Sequence, residues 1–456
     1  MKYHTINPAT GEFIKEFPYH TDAEVNELLS TAQLRFQEDW KWRPVSERIS
    51  LVKKAGEILK EKREYFAKLA TLEMGKMSRF SDLEVDLVIG IFDYYAANAE
   101  KMLAPKVIEE EKDAVILSEP LGVILAIEPW NFPYYQLARV AVPQLIAGNV
   151  VLMKHAENVP QCALAFAELF REAGIPDGVY TNLFCSIEQT GHLIDDFRVR
   201  GVALTGSERA GISVGERAGR NLKKVILELG GSDPALVLKG ASLDAAAEQI
   251  VMGRTYNSGQ GCVNIKRVIV VGQERGQKML ELLKERFAAI KIGDPNDEST
   301  SLGPLASERA LDGLVKQIED AQSAGANIVV GGKRVDRPGF YLEPTILTNI
   351  SKDNPLYKQE AFGPVLSFYI VDTEEQAIHL ANDIDYGLGG YIFDEDVEHA
   401  KQVASKIESG MVYINSCFSD APHLPFGGVK NSGFGRELSE LGIGEFINRK
   451  MVRVAG

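Results

Sequence analysis

The sequence predicts an α/β protein made of two doubly wound domains. Three observations point there. The chain runs to 456 residues, too long for one ordinary core. From Leu121 onward short β-branched runs alternate with helical stretches, the mark of βαβ crossovers and of parallel sheets covered on both faces. The alternation breaks once, near Leu229 to Asp233, where an apolar run ends in Gly230 and Gly231 before a second alternating unit begins.

Taken in order, the N-terminal part is helix-rich. Ala23 to Gln37 and the long stretch Ser46 to Lys76 carry apolar residues at three- and four-residue spacing. Then come a strand in GVILAIEP, a helix through YYQLARVAVPQLIAG, a strand in NVVLMKH, a helix through QCALAFAELFREAG and a run from Tyr180 to Phe184. VRGVALTGS, a helix from Glu208 to Gly219 and KKVILELGG repeat the theme. The second unit reads PALVLKG, a helix from Leu243 to Tyr256, RVIVVG and a helix through MLELLKERFAAIKIGDP. It closes on AIHLANDIDYGLGGYIF, the strand GMVYINS and a glycine-rich, then helical, C-terminal stretch. There are no internal repeats.

Composition narrows the function classes. Hydrophobic residues make up 45% and charged residues 25%, which is globular. Lys plus Arg number 50 against 64 Asp plus Glu, a net charge of −14, so nucleic acid and membrane surfaces are poor partners. The four cysteines, Cys162, Cys185, Cys262 and Cys417, are scattered and form no CxxC pair, and the histidines form no HExxH. A disulfide framework and a metal site are therefore not expected. The N-terminus lacks the apolar run of a leader, which reads as cytoplasmic.

Several stretches carry chemistry. In NSGQGCVNIKR, Cys262 follows Gly259 and Gly261 and precedes Lys266 and Arg267, so it reads as a reactive thiol or as a small core residue. In LELGG, Glu228 ends an apolar strand beside two glycines: a solvated strand end, or a general base tuned by burial. In EPWNFPYYQLAR, Pro129 and Pro133 bracket a turn presenting Asn131, whose amide suits an oxyanion donor. If helical geometry begins at Asn131, then Tyr135 and Arg139 share its face, and Arg139 suits a substrate carboxylate or a structural ion pair. Lys154 and Glu157 follow a buried strand, where open α/β sheets bind ligands, and suit ribose hydroxyls. LTGS, with Gly206 and Ser207, opens a helix whose N-terminus suits a pyrophosphate, although GxGxxG is absent.

Together, PWNFP, LTGS, LELGG and GQGC, in this order, followed by EAFGPV and PFGGVKNSGFGRE, resemble the aldehyde dehydrogenase superfamily from TINPATGE to the C-terminal segment. Through KHAENVP, Arg139 and NSCFSDAPHLPFGG the chain is most similar to bacterial succinate-semialdehyde dehydrogenases. The resemblance implies a cofactor domain over 1–108 and 126–230 and a catalytic domain over 231–420. It adds a β oligomerisation arm from 109–125 and 440–456, with 421–439 as a returning glycine-rich segment and a homodimer or homotetramer as the assembly. It also implies Cys262 as nucleophile, Glu228 as base and Asn131 as oxyanion donor beside the Cys262 N–H, for oxidation of an aldehyde through a thiohemiacetal and a thioester. Trp130, Lys154, Glu157, Gly206, Ser207, Glu360 and Phe362 would hold the nicotinamide dinucleotide. Arg139 and Ser419 would hold a substrate carboxylate between Tyr135 and Phe418. A carboxylate at Glu157 opposes a 2′-phosphate, so NAD is expected over NADP.

Two departures from the family pattern stand out: LFCSIEQTG in place of a glycine-rich turn, and Gly261, Val263, Asn264 and Ile265 around the nucleophile. The glycines read as room for nicotinamide and aldehyde beside the thiol. The alternatives are oxidation of glutarate semialdehyde or a neutral aliphatic aldehyde, and, in another class, a nicotinamide-independent thiol acyltransferase or hydrolase.

Overall fold

The computed structural model describes residues 2–417 and 420–454. A six-stranded sheet runs in the order Gly433–Phe434, Lys224–Glu228, Val199–Thr205, Val123–Ile127, Val150–Lys154, Tyr180–Asn182. All its pairings are parallel except that of the Gly433–Phe434 strand. The central strands are apolar on both faces because helices cover both: Val123, Ile124, Leu125, Val150, Val151 and Leu152 are all buried. Each such side chain contributes about 1.5–3 kcal/mol when withdrawn from water.

The second sheet has seven strands, in the order Asn327–Val330, Thr345–Thr348, Val365–Val371, Arg267–Val271, Pro234–Val237, Tyr391–Phe393, Tyr413–Ile414. Only its first pairing is antiparallel. The break in the sequence pattern marks the seam: one sheet ends at Glu228 and the other begins at Pro234. The returning segment crosses back, with Gly433 pairing Glu228 and Phe434 pairing Leu227.

A third sheet joins Ile447–Arg453, Glu111–Pro120 and Lys106–Ile108 in antiparallel order. The 109–125 segment is thus divided: its last residues, from Val123, lie in the six-stranded sheet, and the hairpin starts earlier, at Lys106. The predicted first helix is found at Asp22–Glu38, opened by a capping box between Thr21 and Glu24. The long stretch after it is two helices, Val45–Glu61 and Arg63–Met74, separated at Lys62. Among the described residues no helix is long and apolar enough to cross a membrane.

Candidate active site

Four strands of the six-stranded sheet deliver site residues at their carboxyl ends. After Val123–Ile127 comes the PWNFP turn, and the following helix is Tyr135–Ala147. Asn131 therefore precedes the helix rather than sharing its face. The turn is held from below by Glu84, whose Oε1 accepts the N–H groups of Tyr134 (2.8 Å) and Tyr135 (3.0 Å). Buried Lys76 neutralises Glu84 and lies 3.9 Å over the Phe132 ring. Asn131 donates one amide hydrogen to the Gln260 carbonyl at 3.1 Å, which orients the group and leaves its second hydrogen to donate elsewhere.

The candidate nucleophile, Cys262, comes from the half built on the other sheet. Between the helix Leu243–Thr255 and the strand Arg267–Val271, the chain passes through three left-handed residues, Asn257 (φ 52°), Ser258 (φ 54°) and Gly259 (φ 76°). Gly259 is required twice over, because a Cβ there would overlap the backbone of Gly363. A Cβ on Gly261 would overlap the Asn264 side chain. The space beside these glycines is filled by protein, which corrects their reading as room for nicotinamide and aldehyde.

Cys262 Sγ lies 3.8 Å from Glu228 Oε2, as donor to acceptor. Glu228 is buried, and its Oε1 has no hydrogen-bond partner. Burial pushes its carboxyl up to about 8, against the opposing pull of Arg139 3.6 Å away, while Glu437 and Asp233 push it further. Burial and the Glu228 carboxylate likewise push the Cys262 thiol up, and Arg139 and Lys266 pull it down.

Arg139 is a member of a buried charge cluster. Its Nε lies 2.6 Å from Glu437 Oε2, and its guanidinium carbon lies 4.8 and 4.5 Å from the ring centres of Tyr135 and Phe426, which meet each other edge-on. Arg139 thus makes a structural ion pair and also lines the cavity, and its buried Nη1 has no hydrogen-bond acceptor. Glu437 and Glu128, the other carboxyls of the cluster, are raised first of all by burial. The cavity, about 770 Å³, is walled by Cys262, Phe132, Tyr135, Arg139, Tyr256 and Phe426. It also meets Arg79 and Arg286, cations from the helices Ser78–Leu103 and Gln273–Ala288 that the sequence reading did not single out. Phe418 and Ser419 lie outside the described residues.

The expected dinucleotide residues share one edge. Lys154 ends its strand and pairs with Glu157 at 2.7 Å. Ser207, after Gly206, caps the helix Glu208–Arg220 by accepting the Ala210 N–H. Across the seam, Glu360 Oε1 accepts the Gly231 N–H at 3.1 Å, and Trp130 meets Phe362 edge-on at 5.8 Å. A lysine–glutamate pair for ribose hydroxyls, a capped helix N-terminus for phosphate and a carboxylate near the thiol form a donor set that fits a nicotinamide dinucleotide.

A model described as the aldehyde dehydrogenase family matches residues 1–452. A succinate-semialdehyde dehydrogenase of Deinococcus radiodurans, named for NADP(+), is 47% identical over 98% of this chain and 94% of its own. A probable succinate-semialdehyde dehydrogenase of Synechocystis, also named for NADP(+), is 44% identical over the full length of both chains. The crystal structure of the succinic semialdehyde dehydrogenase of Streptococcus pyogenes with NADP+ superposes with a TM-score of 0.97 at 45% identity, covering 100% of each chain. That of betaine aldehyde dehydrogenase from Staphylococcus aureus with NAD+ gives 0.95 at 31%, over 98% of this chain and 91% of that one.

Proposed function

Since the chain belongs to the aldehyde dehydrogenase family, we propose that it oxidises succinate semialdehyde to succinate with a nicotinamide dinucleotide as acceptor. The observation that carries this reading is the Cys262 thiol 3.8 Å from a buried carboxyl, in a cavity that also presents Arg139. Glu228 takes the thiol proton, and the sulfur forms a bond to the aldehyde carbon. The carbonyl pair moves onto oxygen, where the free N–H of Asn131 and the Cys262 N–H meet it. A nicotinamide dinucleotide held by Lys154, Glu157, Ser207 and Glu360 would supply the hydride acceptor for this carbon, whose carbonyl re-forms as a thioester on Cys262. Glu228, having released its proton to solvent, then removes a proton from the water that cleaves the thioester. The Arg139 Nη1, which has no protein acceptor, meets the far carboxylate of the substrate.

The relatives named for NADP(+) give no support to the NAD preference read from Glu157. We propose that both cofactors are used. Glu157 is a penalty on NADP that its partner Lys154 partly offsets. The test of the whole reading is a kinetic panel of succinate semialdehyde, glutarate semialdehyde and butanal, each with NAD and with NADP. Arg139→Lys, which keeps a charge for Glu437, is expected to raise KM for the semialdehydes and leave butanal unchanged. An equal change for all three aldehydes refutes the role of Arg139.

A further inference from the structure

Lys266 lies four residues beyond Cys262 and takes no part in the chemistry proposed for Cys262, Glu228 and Asn131. Its side chain is 2% exposed. A buried ammonium needs partners on every hydrogen, and those of Lys266 are specific. Its Nζ donates to the Gly261 carbonyl at 2.8 Å and to the Cys262 carbonyl, and pairs with Glu360 Oε1 at 3.1 Å. The Gly261 carbonyl also accepts the Asn264 N–H at 3.2 Å, closing a turn over Gly261–Asn264. A second buried cation, Arg254, donates to the Gly259 carbonyl.

The consequence follows from peptide geometry. Among the described residues no peptide bond is cis. In a trans peptide the C=O and N–H point to opposite sides. With the Gly261 carbonyl turned inward onto Lys266, the N–H of Cys262 is turned the other way. Cys262, Val263 and Asn264 line the cavity, and Lys266 does not. Among the described residues no acceptor meets the Cys262 N–H. The same charge polarises the Gly261–Cys262 peptide, which strengthens its N–H as a donor.

We propose that Lys266 is a positioning residue: by pinning the carbonyls of Gly261 and Cys262 beneath the nucleophile turn, it aims the Cys262 N–H at the oxygen of the aldehyde. The inference rests on Cys262 as nucleophile. In the step concerned, the thiolate forms the S–C bond, the C=O π pair moves onto oxygen, and the aimed N–H donates to that oxyanion. Glu360 balances the ammonium, so the turn is tied electrostatically to a residue expected at the cofactor.

Two reactions of the same sulfur separate this role from a merely structural one. Alkylation by iodoacetamide is a displacement at carbon and develops no oxyanion on the substrate, whereas the burst of reduced cofactor with succinate semialdehyde passes through one. Each is measured against pH, and the plateau rates are compared. Lys266→Met is expected to lower the burst about 100-fold, the effect of losing one such donor, with plateau alkylation within about threefold of the unmodified protein. Lys266→Arg is expected to recover most of the burst. Should the methionine variant not fold, Lys266→Gln takes its place, with a drop of about tenfold expected because one carbonyl contact survives.

Equal falls in burst and alkylation, or an undiminished burst, overturn the proposal. A burst that survives Cys262→Ala is a different failure, that of the nucleophile assignment itself.

Discussion

Glu157→Gln isolates one charge at the cofactor edge. The carboxylate it removes sits three residues beyond a strand end, paired with Lys154 at 2.7 Å and about one-third exposed, at 33%. Two unit charges ~4 Å apart interact by about 1 kcal/mol in water and about 4 at an effective dielectric of 20. The exposure places this site toward the lower end, and Lys154 cancels part of the field. A net penalty on a 2′-phosphate of about 1.4 kcal/mol remains, a factor of about ten. The amide also frees the Lys154 ammonium to meet the phosphate. kcat/KM for NADP is therefore expected to rise about tenfold, with NAD changing little because its ribose hydroxyls still find an acceptor. Steady-state kinetics with each cofactor at fixed succinate semialdehyde measure the ratio. An unchanged NADP/NAD ratio would refute the placing of the adenosine ribose beside Glu157.

Glu228→Gln is expected to keep the amplitude of the burst of reduced cofactor, to slow its rate because the thiol loses its proton acceptor, and to lower steady turnover by about 10²–10⁴-fold, the usual worth of a general base. With the carboxyl pushed up to about 8, the base form grows as pH rises, so turnover limited by thioester hydrolysis climbs through about pH 8 and then levels. A flat pH profile would argue against Glu228 as that base. Asn131→Ala should lower the burst about 10²–10³-fold while leaving iodoacetamide alkylation of Cys262 nearly unchanged. Lys76→Met leaves Glu84 buried without its cation and is expected to cost about 3–5 kcal/mol, read as a lower urea midpoint. The double variant Lys76→Met, Glu84→Gln should recover part of that loss.

Much of the cofactor edge was legible because it is local. Each strand end carries its candidate residue within a few positions: Asn131 in a proline-bracketed turn, Lys154 closing an apolar run, Ser207 opening a helix, Glu228 before two glycines. What was illegible depends on distant partners. Glu437 meets Arg139 from a segment hundreds of residues away, and Lys266 acts through carbonyls, which carry no side-chain signal. The N-terminal hairpin Tyr3–Asn7 and Glu12–Phe17 escaped notice because five of the six residues of its second strand are exposed, which erases the alternation. The division at Lys62 has neither proline nor glycine to announce it. The glycines around the thiol were visible, but their role was misread, since Gly363 and Asn264 occupy the room they leave.

The seam between the two large sheets has a practical consequence. Sulfur and carboxyl belong to different halves of the molecule, and contacts across the seam hold the halves in register. Ser432 is one: its hydroxyl donates to the Gly230 carbonyl at 2.7 Å and accepts the Gly387 N–H at 3.0 Å, and its carbonyl accepts the Leu229 N–H. Catalysis thus works as a vernier on how the halves seat, since a slip of about 1 Å costs about 100-fold in rate while leaving every helix and strand intact. On warming, activity should fade, and return on cooling, at temperatures where the far-ultraviolet dichroism has not yet moved. The enzyme would then report its own loosening before any spectrum does.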